Sequence, residues 1–403
     1  MSALMTQLFS LIIMLGLFCV AEILSKLTKG KIPAALIMAL SYIIGFWTFM
    51  PADIVKNGGL DTLFSVFSLF VVINMACGIP VQEMKRQWKT IIIGFLCVVG
   101  ITVFMFTIGV LITDRLTVYS TAAEFAGGSG ALLVLVDVAK KLNNTEISTM
   151  ALISGTCQII IGYPLTGVAL RKESQRLLGM YQEGKLQKLG SLEDMEKNGW
   201  KPFTRFNSRF GSTTMILFKL VLISFVSTWL QDLTGGNVNR LVWALVLGFF
   251  ACVTGFLEPN CLSKANSNGI CMTFMLAYLF GLYSAVTPEF FFSKFLAIMI
   301  LAVVSTAGIF AVAWLMSKVF GKKDDQYSLP MCFGIGLTCY HGFPVNVMLT
   351  QEAIDSTVDD PEAKDTIKSV MMPKMLVGGF TTVTFTSVIL ATICGVLLTK
   401  MLG

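Results

Sequence analysis

Apolar and polar positions divide the chain into long apolar runs joined by short polar connections. Ten runs approach the length that crosses a bilayer, about 20 residues. They cover 8–25, 32–49, 63–79, 90–112, 148–170, 213–230, 241–257, 269–286, 295–316 and 370–398. Their continuity predicts membrane-spanning α-helices and argues against a β-barrel, whose strands alternate apolar with polar. Two further stretches, at about 117–142 and 331–354, are apolar but interrupted. The first holds Glu124, Gly127, Gly128, Ser129 and Gly130; the second holds Gly334, Gly336, Gly342 and Pro344. As one helix the first would measure roughly 39 Å, so bent at its glycines it reaches about half-way through a ~30 Å hydrocarbon core. Each is therefore expected to be a re-entrant hairpin, its tip at membrane depth, where irregular backbone is tolerated only if protein buries it or it lines a watery cavity.

Five spans and one hairpin, twice over, predict an all-α polytopic membrane protein. Its layout is two inverted repeats of five transmembrane helices, at 1–170 and 213–403, joined by a linker at 171–212. An odd number of spans turns the second half upside down relative to the first. The halves share layout and not residue identity. Half-depth breaks at corresponding places in two such halves point to a transporter's binding site.

Composition agrees with this class. Charged residues make up 13% of the chain and hydrophobic ones 55%, where a soluble domain carries about 25% charged. Mean hydropathy is +0.76. The net charge of +6 is accordingly read by side of membrane and not as a nucleic-acid footprint. With the N-terminus outside, 22 Lys and Arg fall on inner segments and 7 on outer ones, Lys219 aside. Both termini are thus expected outside and the central loop in the cytoplasm. The start of the chain lacks the basic region of a cleaved signal peptide, so 8–25 is expected to be a retained span. In the linker, 175–188 has the apolar spacing of a surface helix. Cysteines such as Cys19, Cys97, Cys157 and Cys394 sit in apolar runs without ligand spacing, as small core residues do.

Candidate chemistry concentrates at the two breaks. Glu124 is costly at membrane depth unless paired or wet; it is either a cation ligand, a proton carrier or a partner for a cationic substrate group, or it is solvated at the hairpin mouth. Gly127, Gly128 and Gly130 permit close approach of a substrate or of the facing hairpin. A helix restarting near Ala131 would aim free N–H groups at the tip, where Ser129 adds a hydroxyl. In the second break, Thr338, His341, Gly342 and Asn346 flank Pro344, and a helix restarting at Val345 offers a second positive end. His341 is the one histidine, so nothing supports zinc or iron. Asn74 and Asn268 occupy comparable places in the two halves and can coordinate or bond between helices. Thr381 and Thr384 belong to a threonine-rich last span that either supplies oxygens to sodium or bonds back to its own helix. Lys374 is expected to snorkel to the cytoplasmic surface. No nucleophile–base pair, P-loop or dinucleotide fingerprint is present, which argues against an enzyme and against an organic cofactor.

Several segments resemble the bacterial sodium/glutamate symporter family, whose layout is similar to that of the 2-hydroxycarboxylate (citrate) transporters. They are 71–94, Ala126-Gly-Gly-Ser-Gly130, 153–171, 268–282, 342–354 and the region around Pro373. The resemblance implies inverted five-helix repeats with glycine-bearing hairpins, a homodimer in the bacterial inner membrane, and a hairpin-bearing core moving against a scaffold. It further implies cotransport of a small organic anion with sodium. This chain departs from the family at Ser129, where the family has a histidine, at Glu124, where it has a small or hydroxylated residue, and at Thr381, where an acidic one is expected. The expected function is a sodium-coupled symporter of a carboxylate such as glutamate or a related amino acid or dicarboxylate. Glu124, Asn268, Thr381 and Thr384 are the coupling candidates, with sodium near Glu124 and Thr381. Proton coupling or export through Glu124 and His341, or a channel or sensor, is the alternative.

Overall fold

Each of the ten apolar runs contains a helix among the described residues. The structure, a computed structural model, describes residues 3–27, 34–77, 85–186, 211–234, 240–321 and 326–402. The first half of the chain begins with α1 (Ala3–Leu27), α2 (Ala34–Thr48), α3 (Leu60–Ala76) and α4 (Trp88–Ile112). It continues with α5 (Arg115–Gly127), α6 (Ser129–Lys141) and α7 (Thr145–Gln182). The second contains α8 (Thr213–Leu233), α9 (Arg240–Val253), α10 (Asn268–Gly281), α11 (Pro288–Phe320), α12 (Leu329–Asp355) and α13 (Pro361–Leu402). Side-chain caps start many of them: Asp114 accepts from Thr117 N–H, Asn144 from Glu146, Ser212 from Met215, Thr287 from Phe290, Ser328 from Met331 and Asp360 from Ala363. Proline follows the cap in α11, α12 and α13, where its missing N–H costs nothing.

No strand occurs among the described residues, and six helices are long and apolar enough to cross a membrane. The class is an all-α membrane protein. Four apolar runs give helices of only 10–17 residues. One of them, α9, stops at Val253 because Gly255 takes a left-handed φ of 75° and Pro259 follows, so the expected span to 257 is cut short. In the other direction, α7 runs on for 38 residues. The surface helix expected at 175–188 is, as far as Gln182, the end of α7 itself, with Leu177 buried and Ser174 bonded to Thr357 at 2.7 Å. Residues 187–210 of the linker lie outside the described residues.

Two segments double back. Thr117 of α5 meets Met150 of α7, and Glu124, two turns later, meets Gly155 and Gln158, so α5 and α7 run side by side in one direction. The chain then turns at Gly128, and α6 returns to the start of α7 through Leu142–Asn144. Gly128 has φ 53° and ψ −135°, a conformation that only glycine takes without strain. In α12, Ser328 bonds Glu173, Gly334 lies on Leu170, and His341 reaches Thr166. Thr357, just past the end of α12, is back at Ser174. That turn is at Gly342, with φ 51°. The two turns face each other: a Cβ added to Gly128 would lie 3.9 Å from the carbonyl oxygen of Tyr340.

Helices α4–α7 and α11–α13 pack as one group, and α1–α3 and α8–α10 as a second. In the first group α4 and α11 cross backbone to backbone: an added Cβ on Gly100 or Gly308 would sit 2.8 or 2.7 Å from the other's carbonyl oxygen. The second is held by rings, among them Phe64 stacked on Tyr278 with centroids 4.1 Å apart. Phe218, Phe225 and Trp229 of α8 point outward, as an apolar surface facing lipid does. None of the ten cysteines forms a disulfide.

Candidate functional site

The turns at Gly128 and Gly342 bring most of the expected site residues to one level of the first helix group. Glu124 stands one turn before Gly128 and is only 2% exposed, which overturns the solvated-mouth alternative. Its Oε1 accepts from Gln158 Nε2 at 3.3 Å, and its Oε2 has no hydrogen-bond partner. Gly155 makes the room: a Cβ there would lie 3.2 Å from Glu124 Oε1. No Lys or Arg among the described residues comes within ion-pair distance of this carboxyl group. Gly127 lies so close to α13 that an added Cβ would overlap Ser387, and the carbonyl oxygen of Thr382 is 3.2 Å from the same point.

On the facing side, His341 Nε2 is 2.9 Å from Thr166 Oγ1, its ring packs edge-on to Tyr163 at 5.7 Å, and Nδ1 has no partner. The neighbouring Tyr340 hydroxyl is anchored in α11 by Ser305, by Thr306 at 2.8 Å and by the Ala302 carbonyl at 3.0 Å. Its ring fills the space left by Gly162, where a Cβ would be 2.7 Å from Cδ2. Thr338 donates to Ile335 O at 2.6 Å and meets Thr382 Oγ1 at 3.1 Å. Asn346 is satisfied internally, donating to Met375 O at 2.5 Å and accepting from Val347 N–H at 2.9 Å.

Beside both turns α13 widens into one π-helical stretch, Thr381–Thr386. The hydroxyls of Thr381 and Thr382 bond back to Val377 O at 2.8 Å and Gly378 O at 3.1 Å, so they are the self-satisfied threonines of the second alternative. The side chains of Ser129, Gly130, Thr384 and Pro344 lie outside the described residues. Ser129 opens α6, two residues earlier than the expected restart at Ala131.

Two expectations land elsewhere. Asn268 opens α10, in the second helix group, and no hydrogen bond joins it to Glu124 or Thr381. Its counterpart Asn74 accepts from Leu262 N–H at 3.0 Å and so ties α3 to the chain after α9. Lys374 does not snorkel: it is 1% exposed, with Nζ donating to Gln326 Oε1 at 3.0 Å and Val370 O at 2.9 Å, over the ring of Tyr327. These acceptors satisfy the ammonium inside the fold, so it has no need of the surface.

Three residues of the site went unremarked in sequence: Ser120, Gly155 and Gln158. Each is a neutral residue in an apolar run, and only the pairing of α5 with α7 shows Gly155 and Gln158 beside Glu124. An amide at Gln158, in the middle of a run of Ile, Gly and Cys, was the one available signal. Compared with known proteins, the chain matches no family model and no curated protein.

Proposed function

We propose that this chain is a secondary active transporter, a sodium-coupled symporter of a small carboxylate such as glutamate or a related amino acid or dicarboxylate. The observation that carries the reading is the meeting of two glycine turns beside a buried, ion-pair-free carboxyl group. In lipid, backbone leaves regular helix only where protein buries it or a solute path needs it. On this reading the segments turning at Gly128 and Gly342 are re-entrant hairpins of two inverted repeats, one entering from each side. The start of α6 after Gly128 presents free N–H groups to a carboxylate, with Thr338 and His341 at hand for its other groups. Glu124 is the residue for the coupling ion. The first helix group then carries the site across while the second stays in place, in a homodimer of a bacterial inner membrane.

The test is uptake into liposomes holding the purified protein, across labelled carboxylates, driven by an inward sodium gradient. Sodium-dependent accumulation that Gly128→Val and Glu124→Gln both abolish is the expected result. Uptake and sodium dependence intact in both variants would mean that the site is misassigned. Accumulation that follows a pH gradient and ignores sodium would favour a proton carrier. Ligand binding without uptake would make the protein a sensor, and conductance far above transporter turnover a channel.

A further inference from the structure

Along α5, Thr117, Ser120 and Glu124 are spaced three and then four residues apart, as one helical stripe requires. Thr117 and Glu124 mark its two ends by touching Met150 and Gln158. Three oxygens of α5 and α7 are buried without a hydrogen-bond partner: Ser120 Oγ, Glu124 Oε2 and Gln158 Oε1. Their residues are 0%, 2% and 4% exposed. The orphan at Ser120 is unusual, because a helix hydroxyl ordinarily bonds the carbonyl one turn back, as its neighbour Thr121 does to Thr117 O at 2.8 Å. Gly155, between Met150 and Gln158 on α7, keeps side-chain bulk out of the seam.

Three occupants can be compared by what they would satisfy. A proton on Glu124 removes the charge and lets Oε2 donate to one further oxygen, which leaves the third without a partner. A water serves several oxygens and leaves a bare carboxylate in a low-dielectric interior, at high cost. A metal cation serves all three oxygens and balances the charge. The donors are hard oxygens, one of them anionic, and no group of three His, Cys, Asp or Glu gathers among the described residues. One negative charge in a dry seam balances a single positive charge and leaves a divalent ion in excess.

We propose that Ser120, Glu124 and Gln158 form a binding site for a monovalent metal cation of the sodium class between α5 and α7. The site deepens the transporter reading and rests on it only for its role in coupling, since binding stands without transport. It also assigns the ion to the α5–α7 seam and away from the threonines of α13.

The experiment is the thermal stability of the purified full chain in sodium chloride, against potassium and choline chloride at equal ionic strength, alongside binding of radioactive sodium. A cation that binds the native state raises the melting temperature by mass action. Saturable stabilisation by sodium but not choline is expected, lost in Glu124→Gln and weakened about tenfold in apparent affinity by Ser120→Ala, for one neutral ligand removed. Thr381→Ala, with its hydroxyl committed to Val377, is expected to bind sodium as the parent does. If Glu124→Gln fails to fold, Ser120→Ala, which loses no hydrogen bond of its own, carries the test alone. Equal stability in all three salts, or sodium binding unchanged in Ser120→Ala and Glu124→Gln, overturns the site. Sodium binding lost in those variants, with no uptake of any carboxylate by the parent, keeps the site and removes the symporter.

Discussion

At the scale of single residues, charge and volume set what each position tolerates. Burial alone would raise the Asp114 carboxyl, but the N–H and hydroxyl of Thr117 and the ammonium of Lys294 outweigh it and hold it below the usual carboxylate range. A carboxyl group lowered on folding contributes stability that is complete above its unfolded value, about 3.9, and is lost as pH falls through the folded value. Melting followed from neutral pH to acid should therefore show a limb that Asp114→Asn flattens, while Asp114→Ala, which also removes the cap of α5, costs about 1 kcal/mol at neutral pH. Volume decides at Gly127, where an added methyl collides with Ser387 Cβ. Gly127→Ala is expected to destabilise by about 1–3 kcal/mol; Ser387→Gly should recover part of that loss, and Ser387→Ala, which keeps the offending carbon, none. Chemical denaturation of the three variants distinguishes these outcomes. Glu124 and the glycines were legible in sequence because a carboxyl group or a glycine cluster breaks an apolar run. Ser120 was not, because a serine in a helix ordinarily bonds back to the backbone, and Gln158 was visible only as a lone amide whose neighbour Glu124 lies 34 positions away in the chain. Lys374 was misread for a related reason: its acceptor Gln326 lies 48 positions away in the chain.

At the scale of elements, the turn at Gly128 separates backbone cost from packing cost. A Cβ there meets nothing nearer than Gln158 Nε2 at 3.7 Å, so Gly128→Ala is sterically free and its penalty is conformational. With φ 53° and ψ −135° that penalty is about 1–3 kcal/mol. Gly179 offers the internal comparison: it lies within α7 and has open space around it, so Gly179→Ala should be neutral or stabilising. A melting temperature for Gly128→Ala equal to that of the parent would mean that the turn relaxes freely into another geometry. The existence of both turns was readable from glycine and proline clustering, and so was the helical nature of each apolar run. The reach of α7 to Gln182 was not. A helix continues past its apolar run when something covers its polar end, and here Glu173, buried and bonded to Arg176 at 2.8 Å and to Ser328, is covered by the start of α12. That cover comes from more than 150 residues downstream.

At the scale of the whole molecule, the division into two helix groups decides what can move. Tyr283, just past α10, crosses to α7, meeting Thr156 Oγ1 at 2.7 Å and Leu152 O at 3.0 Å, and two ion pairs cross from the return leg α6: Asp137 with Arg240 of α9 at 3.8 Å, and Lys140 with Asp61 of α3 at 4.0 Å. Lys140 also lies over the ring of Tyr278, 4.9 Å from its centroid. Both pairs sit at the end of the first helix group where α6 joins α7, so they latch that end to the second group. Partly exposed ion pairs of this kind contribute about 0.2–1 kcal/mol. That is enough to bias an equilibrium between two arrangements several-fold and too little to hold the fold together. If the first group moves against the second as proposed, the latch must open in each cycle. Arg240→Gln is then expected to leave the melting temperature within a degree or two of the parent while changing the rate of substrate exchange several-fold. Asp137→Asn should give the same change, and the double variant no more than either alone, because all three break one contact. Effects on exchange that add in the double variant would show that the residues act separately, and a large loss of stability in either single variant would make the pair part of the scaffold instead of a latch.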